Sequence, residues 1–291
     1  MQIVSDRGMD LAPEQLANLN IHFAPLRIIL DGITYTSGID IQPDEFYQML
    51  GHTDGFPLTS QPSAGEFAHL YQELSKQDNE ILSIHISSGL SGTLNAARAG
   101  AAMVPEVKVT FWDSKTLSVP LGWQVQAAAQ ALIAGWSIER ILTMLAQIRL
   151  NVEGIFTLSD LKYLIHGGRI SHMKGLVASL LAIKPIIMVD KISGAYITAG
   201  QEITLNRAIS KMVDLMQKRF GEGTRMRIQP LHGSNLEAIE ILRGKLASWL
   251  DIRWEPLTPI APVLGAHTGP SMVGMAIGPL SQFELLPVPN L

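Results

Sequence analysis

Ser87-Ser88-Gly89-Leu90-Ser91-Gly92-Thr93 gathers more anion-binding groups than any other segment of this 291-residue chain. It follows the apolar run Ile81–Ile86, which reads as a strand, and opens an alanine-rich stretch predicted as a helix over Thr93–Met103. Hydroxyls and free backbone amides converge at such a junction, with the positive end of a helix dipole behind them. Thr93, not lysine, follows Gly92, so the Walker pattern is not met, and the dinucleotide fingerprint is absent as well. The ligand need not be a nucleotide. The same residues also suit an ordinary strand–turn–helix junction with capping hydroxyls.

Three further segments carry chemistry. Thr59-Ser60-Gln61-Pro62-Ser63 is a second hydroxyl cluster, which taken alone reads as a helix-entry loop. Gly167-Gly168-Arg169-Ile170-Ser171 offers a guanidinium beside backbone that an anion can approach closely, although most such arginines are solvated or paired on a surface. Ala266-His267-Thr268-Gly269-Pro270 holds an imidazole without a charged neighbour, for which a satisfied core histidine is the default. A serine hydrolase acting on a lipid ester is the competing reading, with Ser88 or Ser91 as nucleophile and His267 as base. Its nucleophile-elbow spacing is incomplete, and no acid is marked to orient His267. The eight histidines have no paired spacing on a helix face, no acidic cluster suggests magnesium, and cysteine is absent. No metal and no cofactor are expected.

The elements that must position these residues alternate through the first half. Strands are predicted at Ile3–Val4, Leu26–Leu30, Ile81–Ile86 and Val107–Trp112. Helices are predicted near Pro13–Leu19 and Pro43–Met49, over Thr93–Met103, Gly122–Ala134 and Ser137–Leu150, and from the capping box Ser63-Ala-Gly-Glu66 to about Gln77. Such alternation implies a parallel sheet. In the second half a strand at Gly154–Leu158, short helices at Leu161–Ile165 and Lys174–Leu181, a hairpin turning at Ser193-Gly194 and a helix over Gln201–Phe220 are expected. A strand at Arg225–Leu231, a helix at Asn235–Trp249 and late strands complete an α+β pattern. The expected fold is therefore α/β with two domains, a parallel-sheet α/β domain over 1–150 and an α+β domain over 151–291.

Composition bounds the function. Apolar residues make up 47% and charged ones 16%, which excludes a disordered chain. With 22 basic and 26 acidic residues there is no electrostatic excess to hold nucleic acid or an anionic membrane. The lack of cysteine fits a reducing cytoplasm, and the first residues do not read as a signal peptide. Two uncharged runs resemble membrane spans only superficially. Thr116–Ile138 contains Pro120 and three glutamines and reads as a covered helix, and Leu257–Phe283 is broken by prolines and glycines and reads as buried strand and loop.

The motifs together resemble the DegV family of fatty-acid-binding proteins. The resemblance is carried by Ile3-Val4-Ser5-Asp6, Pro25-Leu26-Arg27, Asp31-Gly32, Gly38-Ile39-Asp40-Ile41, Thr59 to Ser63, Ser87 to Thr93 and Asp113-Ser114-Lys115. Leu161-Lys162-Tyr163-Leu164 with Gly167 to Ser171, Lys184-Pro185-Ile186 and His267 to Pro270 continue it in family order. It implies one long-chain fatty acid held between the two domains. The family's carboxylate contacts map onto Thr59, Ser60, Ser87, Ser88, Gly89 and His267, and Arg169 matches an arginine near the pocket or facing a partner, expected at the pocket rim. It further implies a carrier that is not an enzyme, with a separate fatty acid kinase subunit as partner in acyl phosphate formation. Arg7-Gly8-Met9, where small hydroxyl residues are usual, and His172, where lysine is common, depart from the family. A sixteen-carbon acid would gain on the order of 10 kcal/mol gross from burying its tail, at roughly 0.8 kcal/mol per methylene.

Overall fold

The computed structural model describes residues 1–172, 183–221, 223–247, 249 and 251–284. The first half contains strands β1 (Gln2–Asp6), β2 (Ile21–Ala24), β3 (Arg27–Leu30), β4 (Ile33–Thr36), β5 (Leu58–Ser60), β6 (Glu80–His85) and β7 (Lys108–Asp113). The second half contains β8 (Glu153–Thr157), β9 (Lys184–Val189), β10 (Tyr196–Glu202), β11 (Met226–His232), β12 (Ile252–Trp254), β13 (Thr258–Pro259) and β14 (Val273–Pro279).

A parallel sheet runs in the order β2-β1-β6-β7. Its central strand β1 is buried throughout, as expected of a strand covered on both faces. Side chains alternate between two cores: Val4 and Ile81 join helices Ala64–Ser75 and Thr93–Ala102 on one face, and Ile3 and Leu82 point to the opposite core. The capping box at the start of Ala64–Ser75 forms as the sequence predicts, Glu66 N donating to Ser63 Oγ and Ser63 N to Glu66 Oε2.

The second sheet runs β10-β9-β8-β14-β11-β12, with β13 also paired to β11. Its strands are antiparallel except for β12 and β13 beside β11. Helices Leu205–Phe220 and Leu236–Leu246 cover one face. Phe156, Ile187 and Ala276 on the other face share a core with helix Ser118–Ile133. That helix thus lies between the two sheets, which explains the uncharged run that only resembled a span: a helix covered on all sides must be apolar all round. Its glutamines are satisfied, Gln124 accepting from Trp112 Nε1 at 2.7 Å and Gln126 from Arg227 at 2.9 Å. No helix among the described residues is long and apolar enough to cross a membrane.

Three local expectations change. Strand β10 occupies Gln201 and Glu202, and the helix expected from Gln201 begins only at Leu205 behind its N-cap Thr204. Leu257–Phe283 contains a helix, Pro262–Thr268, in addition to strands; its proline sits in the first turn, where no backbone N–H is needed. The third change is a small antiparallel sheet, β4-β3-β5, which turns the expected helix-entry loop at Thr59 into an edge strand. The helix expected at Lys174–Leu181 lies outside the described residues.

Candidate functional site

Strand β5 is the first positioning element. Its register sets Thr59 opposite Ile28 and Ser60 opposite Arg27, so the position of the hydroxyls is fixed by a paired strand. Helix Pro262–Thr268 is the second, and it carries His267 in its last turn instead of on the loop that the sequence suggests. Thr59 Oγ1 and His267 Nε2 are 2.9 Å apart.

These two side chains help to line a cavity of about 250 Å³ together with Ser60, Gln61, Ser91 and Arg169, and with apolar residues including Leu26, Leu90 and Tyr196. Both halves of the chain contribute. A second, smaller cavity of about 40 Å³ shares Leu117, Tyr196 and Leu264 with the first and continues past Phe156, Val189, Met272 and Met275. One end of this pair is polar, and the other is almost entirely hydrocarbon.

Electrostatics favour an anion at the polar end. Burial, helped by the nearby charge of Arg169, pushes the His267 pKa down from 6.5 to about 3, so the imidazole is neutral at physiological pH. Its Nδ1 is buried without a hydrogen-bond partner. Gly167 packs directly on this ring, since a Cβ at Gly167 would lie 2.2 Å from Nδ1. Arg169 donates to the Gly167 carbonyl at 2.6 Å and has no carboxylate partner among the described residues. Arg169, expected near the pocket or facing a partner, lines this cavity and is its only cation among the described residues.

The glycine-rich turn departs further from expectation. Ser87, Ser88 and Gly89 are not part of the cavity wall, while Leu90 and Ser91 are. The Ser87 hydroxyl is wholly buried and donates to the Gly194 carbonyl at 2.7 Å. A Cβ on Gly89 would sit 2.5 Å from the Ser193 carbonyl, and one on Gly194 would sit 2.0 Å from Ser87 Oγ. This turn therefore docks against the β9–β10 hairpin. Exposed Ser88 donates to Asp113 Oδ2. Burial would raise the Asp113 pKa, but bonds from Ser88 and Lys115 outweigh it and hold the carboxyl below its usual range. Ser91 Oγ is 2.8 Å from Thr93 Oγ1 and accepts from Thr93 N at 3.3 Å, a helix-start contact.

No serine among the described residues hydrogen-bonds His267, whose ring faces Thr59. A Ser–His–Asp chain does exist elsewhere: Ser83 Oγ lies 2.7 Å from His85 Nε2, and His85 Nδ1 lies 2.9 Å from Asp6 Oδ2. All three side chains are fully buried in the parallel sheet, out of reach of a substrate. Gln61 is a wall residue that sequence reasoning passed over. Its signal was Gly92, where any Cβ would lie 2.3 Å from Gln61 Oε1. No group of residues able to hold a metal occurs among the described residues.

Comparison with known proteins agrees with this architecture. A DegV domain-containing protein of Staphylococcus aureus strain N315 is 34% identical over 275 residues, which is 94% of this chain and 97% of the relative. A DegV family protein from Thermus thermophilus, described by its fatty acid binding, superposes with a TM-score of 0.86 at 30% identity, covering 96% of this chain and 99% of that one. DegV from Bacillus subtilis, described as a fatty acid binding protein, superposes with a TM-score of 0.86 at 29% identity over 96% and 98%. The family profile described as "Uncharacterised protein, DegV family" matches residues 1–280, and with that match over nearly its whole length the chain belongs to the DegV family.

Proposed function

We propose that this protein binds one long-chain fatty acid without chemical conversion, with the carboxylate at Thr59, His267 and Arg169 and the acyl chain running between the two sheets. The observation that carries this reading is the polarity of two adjacent cavities with shared walls. A neutral imidazole, a threonine hydroxyl and a guanidinium with no carboxylate partner among the described residues stand at one end, and Phe156, Met272 and Met275 at the other. The tail supplies affinity through apolar burial, and the head group needs only donors in a desolvated site. Ser60 and Ser91 are available as further donors at the same end. The fatty acid binding of the Thermus thermophilus and Bacillus subtilis relatives supports the same ligand class.

A carrier needs a recipient. In the proposed role the bound acid is presented to a separate fatty acid kinase subunit, which makes the acyl phosphate. The hydrolase alternative is disfavoured because His267 is paired with threonine and Ser88 with Asp113. Organic extraction of the purified protein followed by mass spectrometry tests the carrier reading. A stoichiometric free fatty acid is expected. Covalent labelling of Ser88 or Ser91 by a serine-reactive phosphonate, with turnover of acyl esters, would overturn it.

A further inference from the structure

A cavity of about 730 Å³ is separate from the one proposed to hold the fatty acid, which is about 250 Å³. It lies where the loop after β1 meets the residues around Gly38 and the segment Pro256–Pro262, and it shares no lining residue with the cavity of Thr59 and His267. Its volume falls within the range of small-molecule sites.

Arg7 is the cation of this cleft. Its guanidinium lies over the Phe23 ring at 4.9 Å, and Gly38 approaches so closely that a Cβ there would be 3.4 Å from Arg7 Cδ and Nη1. The Nε is buried with no hydrogen-bond partner, and no ion pair involves Arg7 among the described residues. The two acids that line the cleft do not neutralise it. Asp10 is committed to Ser118 and to the Ala261 amide at 2.8 Å, and Glu14 is solvent-exposed. A guanidinium held over an aromatic ring, with no carboxylate partner among the described residues, is arranged for an oxyanion. Leu16, Leu257, Pro13 and Pro43 give the remaining wall an apolar and rigid character.

We infer that the Arg7 cleft is a second ligand site, distinct from the acyl cavity, that takes a small organic oxyanion, a carboxylate or phosphate carried on an apolar body. The anion pairs with the Arg7 fork while its body packs against Phe23 and Leu257. This inference stands independently of the fatty-acid reading.

The test is a titration with benzoate and with phenyl phosphate, inorganic phosphate serving as the control that lacks an apolar body. The readout is the Arg7 Nε–Hε resonance, identified by its loss in Arg7→Gln. A saturable shift is expected, with affinity weakened about tenfold or more in Arg7→Gln and unchanged in Thr59→Val. Arg7→Lys, which keeps the charge but loses the fork, should also bind more weakly, and it serves if Arg7→Gln does not fold. Tighter binding of benzoate supports a carboxylate ligand and the reverse order a phosphate. No saturable shift in the wild-type protein, undiminished binding in Arg7→Gln, binding lost only in Thr59→Val, or inorganic phosphate binding as tightly as phenyl phosphate would each overturn the assignment.

Discussion

Two hydroxyl-rich loops enter helices in the first half of this chain, and they do different work. Thr59 and Ser60 end an edge strand and, with Gln61 just after it, line the cavity. Ser87-Ser88-Gly89 spends its hydroxyls on Gly194 and Asp113 and presses its glycine against the Ser193–Gly194 turn. In the proposed role the first binds, whereas the second holds the β9–β10 hairpin against the parallel sheet. Hydroxyl content and a following helix make both loops equally suited to an anion by sequence, and the neighbouring element decides which one faces the cavity. For β5 that neighbour is helix Pro262–Thr268, whose His267 brings a desolvated imidazole to Thr59.

Several changes would break or sharpen this contrast. Arg169→Ala removes the cation of the cavity wall, and palmitate affinity measured by calorimetry on delipidated protein should fall by about 2–5 kcal/mol. Gly194→Ala strikes the docking loop. It adds a Cβ at φ +72° directly onto Ser87 Oγ, and urea unfolding should show a loss of about 2–3 kcal/mol. On the binding loop, Thr59→Val should cost about 1–2 kcal/mol of palmitate affinity with little change in stability, the reverse of the pattern for Gly194→Ala.

The pH dependence of the ligand-free protein follows from two buried groups with opposite signs. His267, with its pKa lowered from 6.5 to about 3, contributes stability that is present above pH 6.5 and lost as pH falls toward 3. Asp10, raised by burial from 3.8 to about 6 against the opposing bonds from Ser118 and Ala261, contributes stability present below 3.8 and lost as pH rises through 6. His267→Gln should remove the rise of melting temperature with pH between about 3 and 6.5, and Asp10→Asn should remove the opposing fall between 3.8 and about 6. The smallest effect belongs to Ser88→Ala. An exposed bond to Asp113 is removed, and palmitate affinity should change by less than about 0.5 kcal/mol.

Periodicity and capping made much of the fold legible. Parallel strands β1, β6 and β7, though not β2, the capping box at Ser63–Glu66, the hairpin at Ser193-Gly194 and the covered helix within Thr116–Ile138 follow from local pattern. Strand β5 did not. It is three residues long, too short for an alternation signal, and is a strand only because Arg27–Ile29 lies beside it. The helix carrying His267 was hidden by Pro262 and Gly269, which mark its ends rather than a loop. The site residues divide in the same way. Thr59, Ser60, Arg169 and His267 come together in the cavity, whereas the partners of Ser87 and Ser88 lie 107 and 25 residues away in sequence and leave no local trace. Arg169 reads as a surface group because nothing in Gly167–Ser171 tells that the cavity lies against it.

The measurement that bears most directly on the proposed division of labour is a crystal structure of the palmitate complex. The carboxylate should lie within hydrogen-bond distance of Thr59 and Arg169, with His267 beside it and the tail passing Tyr196 toward Phe156 and Met275. A carboxylate seated on Ser88 and Gly89, or an acyl chain lying in the Arg7 cleft, would contradict it.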